Sequence, residues 1–346
     1  MILRVFSLLI LLTNSAIATE FGTRILLGAG MYGYGDSFGV AGGASDQAHG
    51  FSYLLAAQIG GTFTNAAVSG TRTAAAARAA LTNLPVMRRP AVMALTGFNS
   101  ILTGAAVASI QADHRAIIAA SLLRENIPAS AMRGSGTWIS YGSSDPGRSN
   151  AIGGTAMYST DPNAWREWDF FGDNVVVGGY TTSGSQYKDF SVSIDGSVPA
   201  TFSASGMTSE AYPATGFNAL VLRGLGLGKH TVRVSQKSGA SGVYMVVDYV
   251  GTLASPGSTG STFIGQIPSM TNWTYNGLTI NQAIEDAANV GIASVVAEFS
   301  DYPVFLVPVN DFYTPDSTHT AADGEHPTDA GHAQIAAAFW SRMSPE

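Results

Sequence analysis

The segment Arg24-Ile-Leu-Leu-Gly-Ala-Gly-Met-Tyr-Gly-Tyr-Gly-Asp-Ser37 carries a short apolar run into the tripeptide Gly35-Asp36-Ser37. An apolar run that ends in glycines and a polar tripeptide is typical of a buried strand followed by a loop. We predict the strand over Arg24 to Gly28 and a helix over Phe51 to Ile59. This strand-loop-helix unit predicts a parallel sheet with right-handed crossovers, with Ser37 in the loop beyond a strand's carboxyl end.

The same texture continues to about Asn126 and returns after about Pro256. Short apolar runs there alternate with helix-like stretches, which is typical of an α/β fold. Further strands are predicted over Phe63 to Val68, Ala91 to Thr96, Thr262 to Ile267 and Val304 to Val309. Helices are predicted over Thr73 to Leu81, Val107 to Glu125, Ile280 to Val290 and Ala330 to Met343. The sequence therefore predicts one α/β domain in two parts, residues 19–130 and 257–346.

Residues 131–256 have a different texture, with many glycines and aromatic residues and an alternation of apolar and polar side chains. This alternation predicts an all-β sandwich inserted into the α/β domain. The glycine-rich Gly224 to Lys229 is interpreted as a hairpin connection between two of its strands. Small residues flank the insertion at 130–136 and 255–260, as in linkers, so a short Gly-Ser linker is expected to replace it without unfolding the α/β domain.

Composition excludes several classes of partner. The 346 residues have a formal net charge of -7, only 12% of them are charged, and there is no basic block. Nucleic acid and anionic membrane surfaces are therefore not expected as partners. The chain has no cysteine, so an oxidising destination adds no disulfides.

The first 18 residues read as a secretory signal peptide. An apolar run from Val5 to Leu12 leads into Ser15-Ala-Ile-Ala18, which is a small-x-small cleavage pattern. The run is too short to remain as a membrane anchor. We therefore expect a secreted or periplasmic protein that begins near Thr19, and the sequence leaves its oligomeric state open.

Two polar segments near opposite ends of the chain supply a serine, a histidine and an aspartate. Ser37 lies in the first, and Asp323-Gly-Glu-His326-Pro327 precedes the last predicted helix. A serine hydroxyl is a weak nucleophile at neutral pH, so it needs an imidazole to take its proton and a carboxylate to orient that imidazole. The pattern predicts Ser37, His326 and Asp323 as nucleophile, base and orienting acid.

Two further loops are predicted at the carboxyl edge of the same sheet. The second strand leads into Asn65-Ala-Ala-Val-Ser-Gly70, and the third into Thr96-Gly97-Phe98-Asn99. The backbone N–H groups of Ser37 and Gly70 and the Asn99 amide are predicted to form an oxyanion hole. Taken singly, Gly70 also fits a turn glycine and Asn99 a helix cap. A metal site of His319, Asp323, His326 and His332 is the alternative for the histidines, although the Asp-x-x-His spacing is explained by a triad.

These four blocks, in this order, resemble the SGNH, or GDSL-like, family of esterases and lipases. The resemblance covers roughly Thr23 to Asn126 and Gly260 to Met343, with the blocks at Gly35–Ser37, Asn65–Gly70, Gly97–Asn99 and Asp323–Pro327. Ser100 stands where the family usually has aspartate, and Ala67 where glycine is common. The resemblance implies a three-layer α/β/α fold and ester hydrolysis through an acyl-serine, without metal or cofactor.

The insertion also bears on the substrate. Leu225-Gly-Leu-Gly-Lys-His-Thr-Val-Arg-Val, followed by Val247-Asp-Tyr-Val250, is similar to jelly-roll modules of SGNH-type carbohydrate acetyl esterases. Aromatic side chains of the insertion are expected either to stack on sugars or to fill its core: Trp138, Trp165, Trp168, Tyr180 and Tyr187. The resemblance implies an esterase acting on an acylated carbohydrate or a small ester. The alternatives are a lipase or broad arylesterase, and a carbohydrate-binding protein whose hydrolase half is inactive.

Overall fold

A computed structural model describes residues 30–83, 91–140, 156–181, 189–197, 200–204, 216–237, 244–258, 260–272, 274–275, 278–279 and 281–344. The predicted signal peptide, the predicted strand Arg24 to Gly28 and Tyr187 lie outside these residues. The described first strand runs over Met31–Gly35 and ends directly before Asp36. Ser37 therefore follows a strand, as predicted.

The strands are, in chain order, β1 (Met31–Gly35), β2 (Phe63–Asn65), β3 (Ala91–Leu95), β4 (Leu123–Pro128), β5 (Arg133–Ser135), β6 (Ile139–Ser140), β7 (Met157–Ser159), β8 (Trp165–Thr181), β9 (Phe190–Ile194), β10 (Ala200–Phe202), β11 (Gly216–Gln236), β12 (Met245–Leu253), β13 (Thr262–Gly265), β14 (Thr274–Tyr275), β15 (Leu278–Thr279) and β16 (Val304–Val307). The α-helices are α1 (Phe51–Ile59), α2 (Thr73–Asn83), α3 (Phe98–Leu102), α4 (Val107–Leu122), α5 (Gln282–Ala297) and α6 (Asp329–Met343).

A parallel sheet has the strand order β16-β13-β3-β1-β2 over the described part of the chain. The chain moves one way across the sheet from β1 to β2 and the other way from β2 to β3, β13 and β16. Right-handed crossovers therefore place α1 on one face and α2, α4 and α5 on the other. The packing agrees, because α1 contacts α6, while α4 contacts both α2 and α5. The predicted α/β class is confirmed, and its sheet reverses strand order between β1 and β3.

An antiparallel sheet has the strand order β10-β9-β11-β8-β12-β7-β6, with β4 paired to β12 and β5 paired to β8. Its first strand, β4, begins at Leu123, where the sequence predicts the end of a helix. The α4 helix stops at Leu122 because the next residues pair with β12 instead. Pairing with a distant strand thus overrides local helical preference.

The hairpin predicted at Gly224 to Lys229 is wrong. Residues Gly216–Gln236 form one strand, and both of its halves pair antiparallel with β8, with a shift of register between Arg223 and Gly228. Gly224 and Gly226 have positive φ angles of 71° and 83°. These left-handed residues absorb the extra chain as a bulge, so the strand continues without reversing.

The antiparallel sheet has buried side chains on both of its faces. Val175 and Val177 of β8 point into a core within the sheet's own fold, whereas Val176 and Tyr180 belong to the same apolar cluster as the helices of the parallel sheet. Phe217 of β11 is buried in that shared cluster. The insertion and the α2–α4 helix layer therefore share one continuous core.

A polar contact reinforces this shared core. The backbone N–H of Phe217 donates to Asp113 Oδ1 of α4 at 2.8 Å, and the Arg78 guanidinium of α2 lies 5.8 Å from the centre of the Phe217 ring. Removing the insertion would expose the apolar surfaces of α2 and α4. This shared core argues against the expectation that a linker can replace the insertion, which remains to be tested. The composition of the flanking segments does not reveal these contacts.

No helix in the described segments is long and apolar enough to cross a membrane.

Candidate active site

Ser37, His326 and Asp323 lie in a line of hydrogen bonds. Ser37 Oγ is 2.9 Å from His326 Nε2, and His326 Nδ1 is 2.8 Å from Asp323 Oδ2. A carboxylate only accepts, so Nδ1 carries the proton and donates to Asp323. Nε2 of the neutral ring is then the acceptor for the Ser37 hydroxyl. The structure brings together all three residues that the sequence singles out for this site.

A tight turn holds Asp323 under the imidazole. Its Oδ1 accepts the backbone N–H groups of Glu325 and His326 at 2.9 and 3.0 Å. Partial burial acts to raise the pKa of Asp323, but these two backbone bonds and the His326 ring outweigh it and hold the pKa below its usual value. Asp323 is therefore ionised at neutral pH and fixes the tautomer of His326.

Asp36, the neighbour of the nucleophile, has the opposite environment. It is fully buried, and its Oδ1 accepts the N–H of Phe38 at 3.2 Å. Burial raises the pKa of Asp36 to about 7. Two aspartates of the site thus have pKa values displaced in opposite directions, and Asp323 is the one placed to carry charge beside the imidazole.

Gly42 and Gly43, which the sequence pattern does not single out, form a cradle for His326, that is, a backbone segment that packs directly against its side chain. A Cβ on Gly42 would lie 2.9 Å from the His326 ring and 3.1 Å from Ser37 Cβ. Gly43 has a φ of 86°, and a Cβ there would lie 2.7 Å from His326 Cβ. Only glycine permits this approach, so the Gly42-Gly43 pair was the available sequence signal.

His332 supports the same loop from below. Its Nε2 is 2.9 Å from the Gly42 carbonyl oxygen, and its Nδ1 is 3.3 Å from the backbone nitrogen of Phe51. The carbonyl can only accept and the N–H can only donate, so both bonds are made by a neutral ring protonated on Nε2. Burial lowers the pKa of His332, in agreement with that neutral form. It is a positioning residue for the loop that holds Ser37 and His326.

This arrangement predicts a pH-dependent contribution of His332 to stability. We expect His332→Gln to lower the free energy of unfolding by about 1–3 kcal/mol near pH 7.5, through loss of the paired buried bonds. Because the folded pKa of His332 is lowered, its wild-type contribution is lost as pH falls below about 6.5, the usual histidine value. The difference in Tm between the two proteins should therefore narrow from pH 7 to pH 5.

Circular dichroism melts of both proteins across pH 5–8 measure this difference. Other buried titrating groups, such as Asp36 and His114, are present in both proteins and cancel in the comparison. A Tm difference that stays constant over the whole range would contradict the assignment of His332 as the neutral support.

The loops carrying Gly70 and Asn99 are joined to the Ser37 loop. The Gly35 carbonyl accepts the N–H of Val68 at 3.1 Å, and Asn99 Nδ2 donates to the Thr71 carbonyl at 2.9 Å. Gly70 lies between them in a turn with a φ of 73°. The alternative role of Asn99 as a helix cap is wrong, because α3 is capped by Gly97 and Asn99 lies inside the helix. One of the two Asn99 amide hydrogens remains for another acceptor.

Ser100 supports these loops through its side-chain hydroxyl. Its Oγ accepts the backbone N–H of Thr73 at 3.0 Å and lies 2.8 Å from Thr73 Oγ1. These contacts tie α3 to the start of α2. A serine therefore supplies an anchor for the Asn99 loop.

A buried polar network steadies the Asp323 turn from the other side. Glu285 Oε1 of α5 accepts bonds from Ser269 at 3.0 Å and Asn310 at 2.8 Å, which order the chain after β13. That chain then donates two backbone N–H groups, from Thr271 and Asn272, to the Gly324 carbonyl at 3.0 Å each. No local sequence pattern predicts this network, because its residues are distant from one another in sequence.

The four side chains of the metal alternative do not converge. His319 Nδ1 pairs with Asp316 at 2.8 Å, His332 bonds the Ser37 loop, and His326 lies between Asp323 and Ser37. Within the described ranges, no three His, Cys, Asp or Glu side chains are grouped so as to hold a metal ion. The alternative of a metal site formed by His319, Asp323, His326 and His332 is therefore wrong, because these side chains do not come together.

The aromatic residues of the insertion divide between core and surface. Tyr180 is buried against Phe217. Trp168 is stacked on Phe170, with ring centres 5.7 Å apart, and Trp165 is covered by the Arg233 guanidinium at 4.2 Å. Trp138 lies under Arg166 at 5.0 Å. Each of the four described rings that the sequence singles out thus has a packing partner within the protein.

No family model and no curated protein matches this chain. Among solved structures it is similar to an exo-β-1,3-galactanase from Phanerochaete chrysosporium, with 13% identity over 36% of this chain and 28% of the galactanase, at a TM-score of 0.28. It is also similar to a family 35 carbohydrate-binding module from Clostridium thermocellum, with 14% identity over 38% of this chain and 99% of the module, at a TM-score of 0.30. A CBM36-1 domain of a xylanase from the Trinervitermes trinervoides hindgut metagenome gives 12% identity over 36% of this chain and 93% of the domain, at 0.27. These likenesses are too distant to assign an activity.

Proposed function

We propose that this protein is an exported serine esterase of the SGNH, or GDSL-like, family that removes small acyl groups, acetyl foremost, from a carbohydrate. The observation that carries the proposal is the line Ser37–His326–Asp323, with bonds of 2.9 and 2.8 Å. The sheet order and its two helix layers fit the α/β/α fold of that family. The antiparallel sheet is proposed to be its inserted jelly-roll module.

This geometry supports the first half of the proposed reaction. Ser37 Oγ attacks the ester carbonyl carbon while His326 Nε2 takes its proton, and the ionised Asp323 stabilises the imidazolium. The bond to the alcohol then breaks as His326 returns the proton to the leaving oxygen. In the second half, water attacks the acyl-serine, His326 accepts its proton and then returns it to Ser37 Oγ, and the acid is released.

Negative charge develops on the carbonyl oxygen in both halves. The candidate donors for it are the N–H groups of Ser37 and Gly70 and the second amide hydrogen of Asn99. They follow β1, β2 and β3, whose carboxyl ends meet at one edge of the sheet. This is where the strand order reverses, the usual position of a site in an open parallel sheet.

Asn99→Ala is expected to lower kcat for a small acetate ester by about 100-fold or more, with little change in KM. The reason is that the lost hydrogen bond strengthens only as charge develops in the transition state. Steady-state kinetics on a chromogenic acetate ester measure both constants.

Ser100→Ala is the matched control for this substitution. It removes the anchor to Thr73 from the same loop but no donor to the oxygen, so a much smaller loss is expected. Equal losses for the two variants would contradict a role of Asn99 beyond holding its loop.

Release of acetate from a panel of acetylated polysaccharides tests the substrate class. We expect release from at least one polymer, and turnover of chromogenic esters that falls as the acyl chain lengthens. Preference for long acyl chains would favour the lipase alternative. Binding to a polysaccharide without any ester hydrolysis would favour the carbohydrate-binding alternative.

A further inference from the structure

An exposed aromatic ring lies on the outer face of the inserted sheet. Phe171 exposes 58% of its surface within the long strand β8. Lys229 of β11 is its partner across the strands, so the ring and the ammonium group lie side by side on the same face. One exposed apolar residue needs no explanation by itself. Its surroundings, however, form a cleft.

The cleft has a volume of about 490 Å³ and is lined by residues of β4, β8 and β11. Its wall combines aromatic rings with charged groups of both signs: Arg124, Glu125, Trp168, Asp169, Phe171 and Lys229. The Trp168 ring is held in place by its stack on buried Phe170. A fixed apolar wall beside charged groups suits a ligand that has both an apolar face and polar substituents.

The two carboxylates of the cleft already have partners. Asp169 accepts two bonds from the Arg133 guanidinium, at 2.8 and 3.0 Å, and one from Thr231 at 2.6 Å. The Arg133 bonds hold the pKa of Asp169 below its usual range. Glu125 accepts a bond from Thr252 at 3.1 Å. Both carboxylates of the cleft therefore already accept hydrogen bonds from the protein.

The two cationic side chains of the cleft, Lys229 and Arg124, have fewer contacts with protein acceptors. The Lys229 side chain is 76% exposed and comes no closer than 3.7 Å to Asp169. Arg124 is exposed and has no ion-pair partner among the described residues. A ligand carboxylate would find donors here, and arginine in particular binds carboxylates with two parallel bonds.

The cleft is remote from Ser37. The α4 helix starts beyond the carboxyl end of β3, on the side of the sheet where Ser37 lies, and Arg124 follows closely after its end at Leu122. Sixteen helical residues span about 24 Å. A group held at Phe171 is therefore not the group hydrolysed at Ser37.

We infer that the cleft at Phe171 binds a carboxylated sugar unit, with the sugar face against the Phe171 ring and the carboxylate between Lys229 and Arg124. This inference rests on the proposed function, because it says that the carbohydrate substrate of the proposed esterase is an acidic polysaccharide. Holding one unit of the polymer raises the effective concentration of its esters near Ser37 without a role in the chemistry.

Affinity electrophoresis of the whole protein in gels containing polygalacturonate, with dextran as the neutral polymer, tests the inference. We expect retardation by polygalacturonate alone. Phe171→Ala and Lys229→Ala should each weaken binding by about tenfold or more, the size of one lost ring or charge contact. Leu227→Ala is the matched control, because Leu227 is 79% exposed on the same strand but does not line the cleft.

Absence of retardation of the wild-type protein, equal retardation by dextran, or wild-type binding in both Phe171→Ala and Lys229→Ala would overturn the inference. Turnover of a small acetate ester, which should be unchanged in all three variants, is measured in parallel. Polygalacturonate binding that depends on Phe171 in a protein without esterase activity would uphold the cleft while refuting the proposed function. Esterase activity without polygalacturonate binding would support the proposed function and refute the binding role of the cleft.

Discussion

Ser37→Ala is expected to lower kcat for a small activated acetate ester by about 10⁴-fold or more, while the Tm stays close to that of the wild-type protein. Ser37 Oγ is the atom that His326 Nε2 contacts at 2.9 Å, and without it no acyl-serine can form. The residual rate then reflects only the oxyanion donors and binding. Loss of one hydroxyl leaves the apolar packing of the loop unchanged.

Initial rates and a thermal melt of the purified variant check both parts. Ser69→Ala is the control, since Ser69 is exposed in the neighbouring loop beside Gly70 and has no assigned role. Near-wild-type turnover of Ser37→Ala would remove the nucleophile assignment and the mechanism with it.

Replacing residues 133–255 by a short Gly-Ser linker is expected to abolish folding. The insertion supplies Tyr180, Phe217 and Tyr249 to the same apolar cluster as α2 and α4, and all three are almost fully buried. Without them, a large apolar surface of the helices is exposed to water. The free energy lost in this way exceeds the small free energy of unfolding of a typical domain. We expect aggregated or protease-sensitive protein and no cooperative melt.

Phe217→Ala tests the same interface without removing a segment. Truncation of a buried phenylalanine costs about 3–5 kcal/mol, so its urea midpoint should fall while ester turnover below the transition persists. A linker variant that melts cooperatively and keeps wild-type turnover would contradict a shared core.

The helices of the α/β part could be predicted from sequence because their apolar spacing is local. The predicted helix Phe51 to Ile59 has the observed bounds. The described first strand, Met31–Gly35, escaped because glycines interrupt its apolar pattern. A Cβ on Gly33 would lie 3.0 Å from the Phe63 ring, so close packing with β2 favours glycine there. In the sequence alone, a glycine that is favoured by packing against a neighbouring strand cannot be distinguished from a turn glycine.

The candidate site divides in the same way. Ser37, Asp323 and His326 could be proposed from sequence because their chemistry is specific and their motifs are short. The Gly42-Gly43 cradle, the His332 support and the Glu285 network could not, because each acts through contacts made only when distant segments meet. The pairing of Lys229 with Phe171 likewise follows a register shift between Arg223 and Gly228, where the sequence pattern predicts a turn.

Reaction with a fluorophosphonate, followed by mass spectrometry of the intact protein and its peptides, tests the central claim most directly. The reagent phosphonylates a serine activated by a neighbouring base, with loss of fluoride, and so mimics the first half of the proposed reaction. We predict a single adduct on Ser37 that forms in the wild-type protein and not in His326→Ala. Absence of any adduct in a folded, wild-type protein, or an adduct on another residue with Ser37 unmodified, would contradict the account.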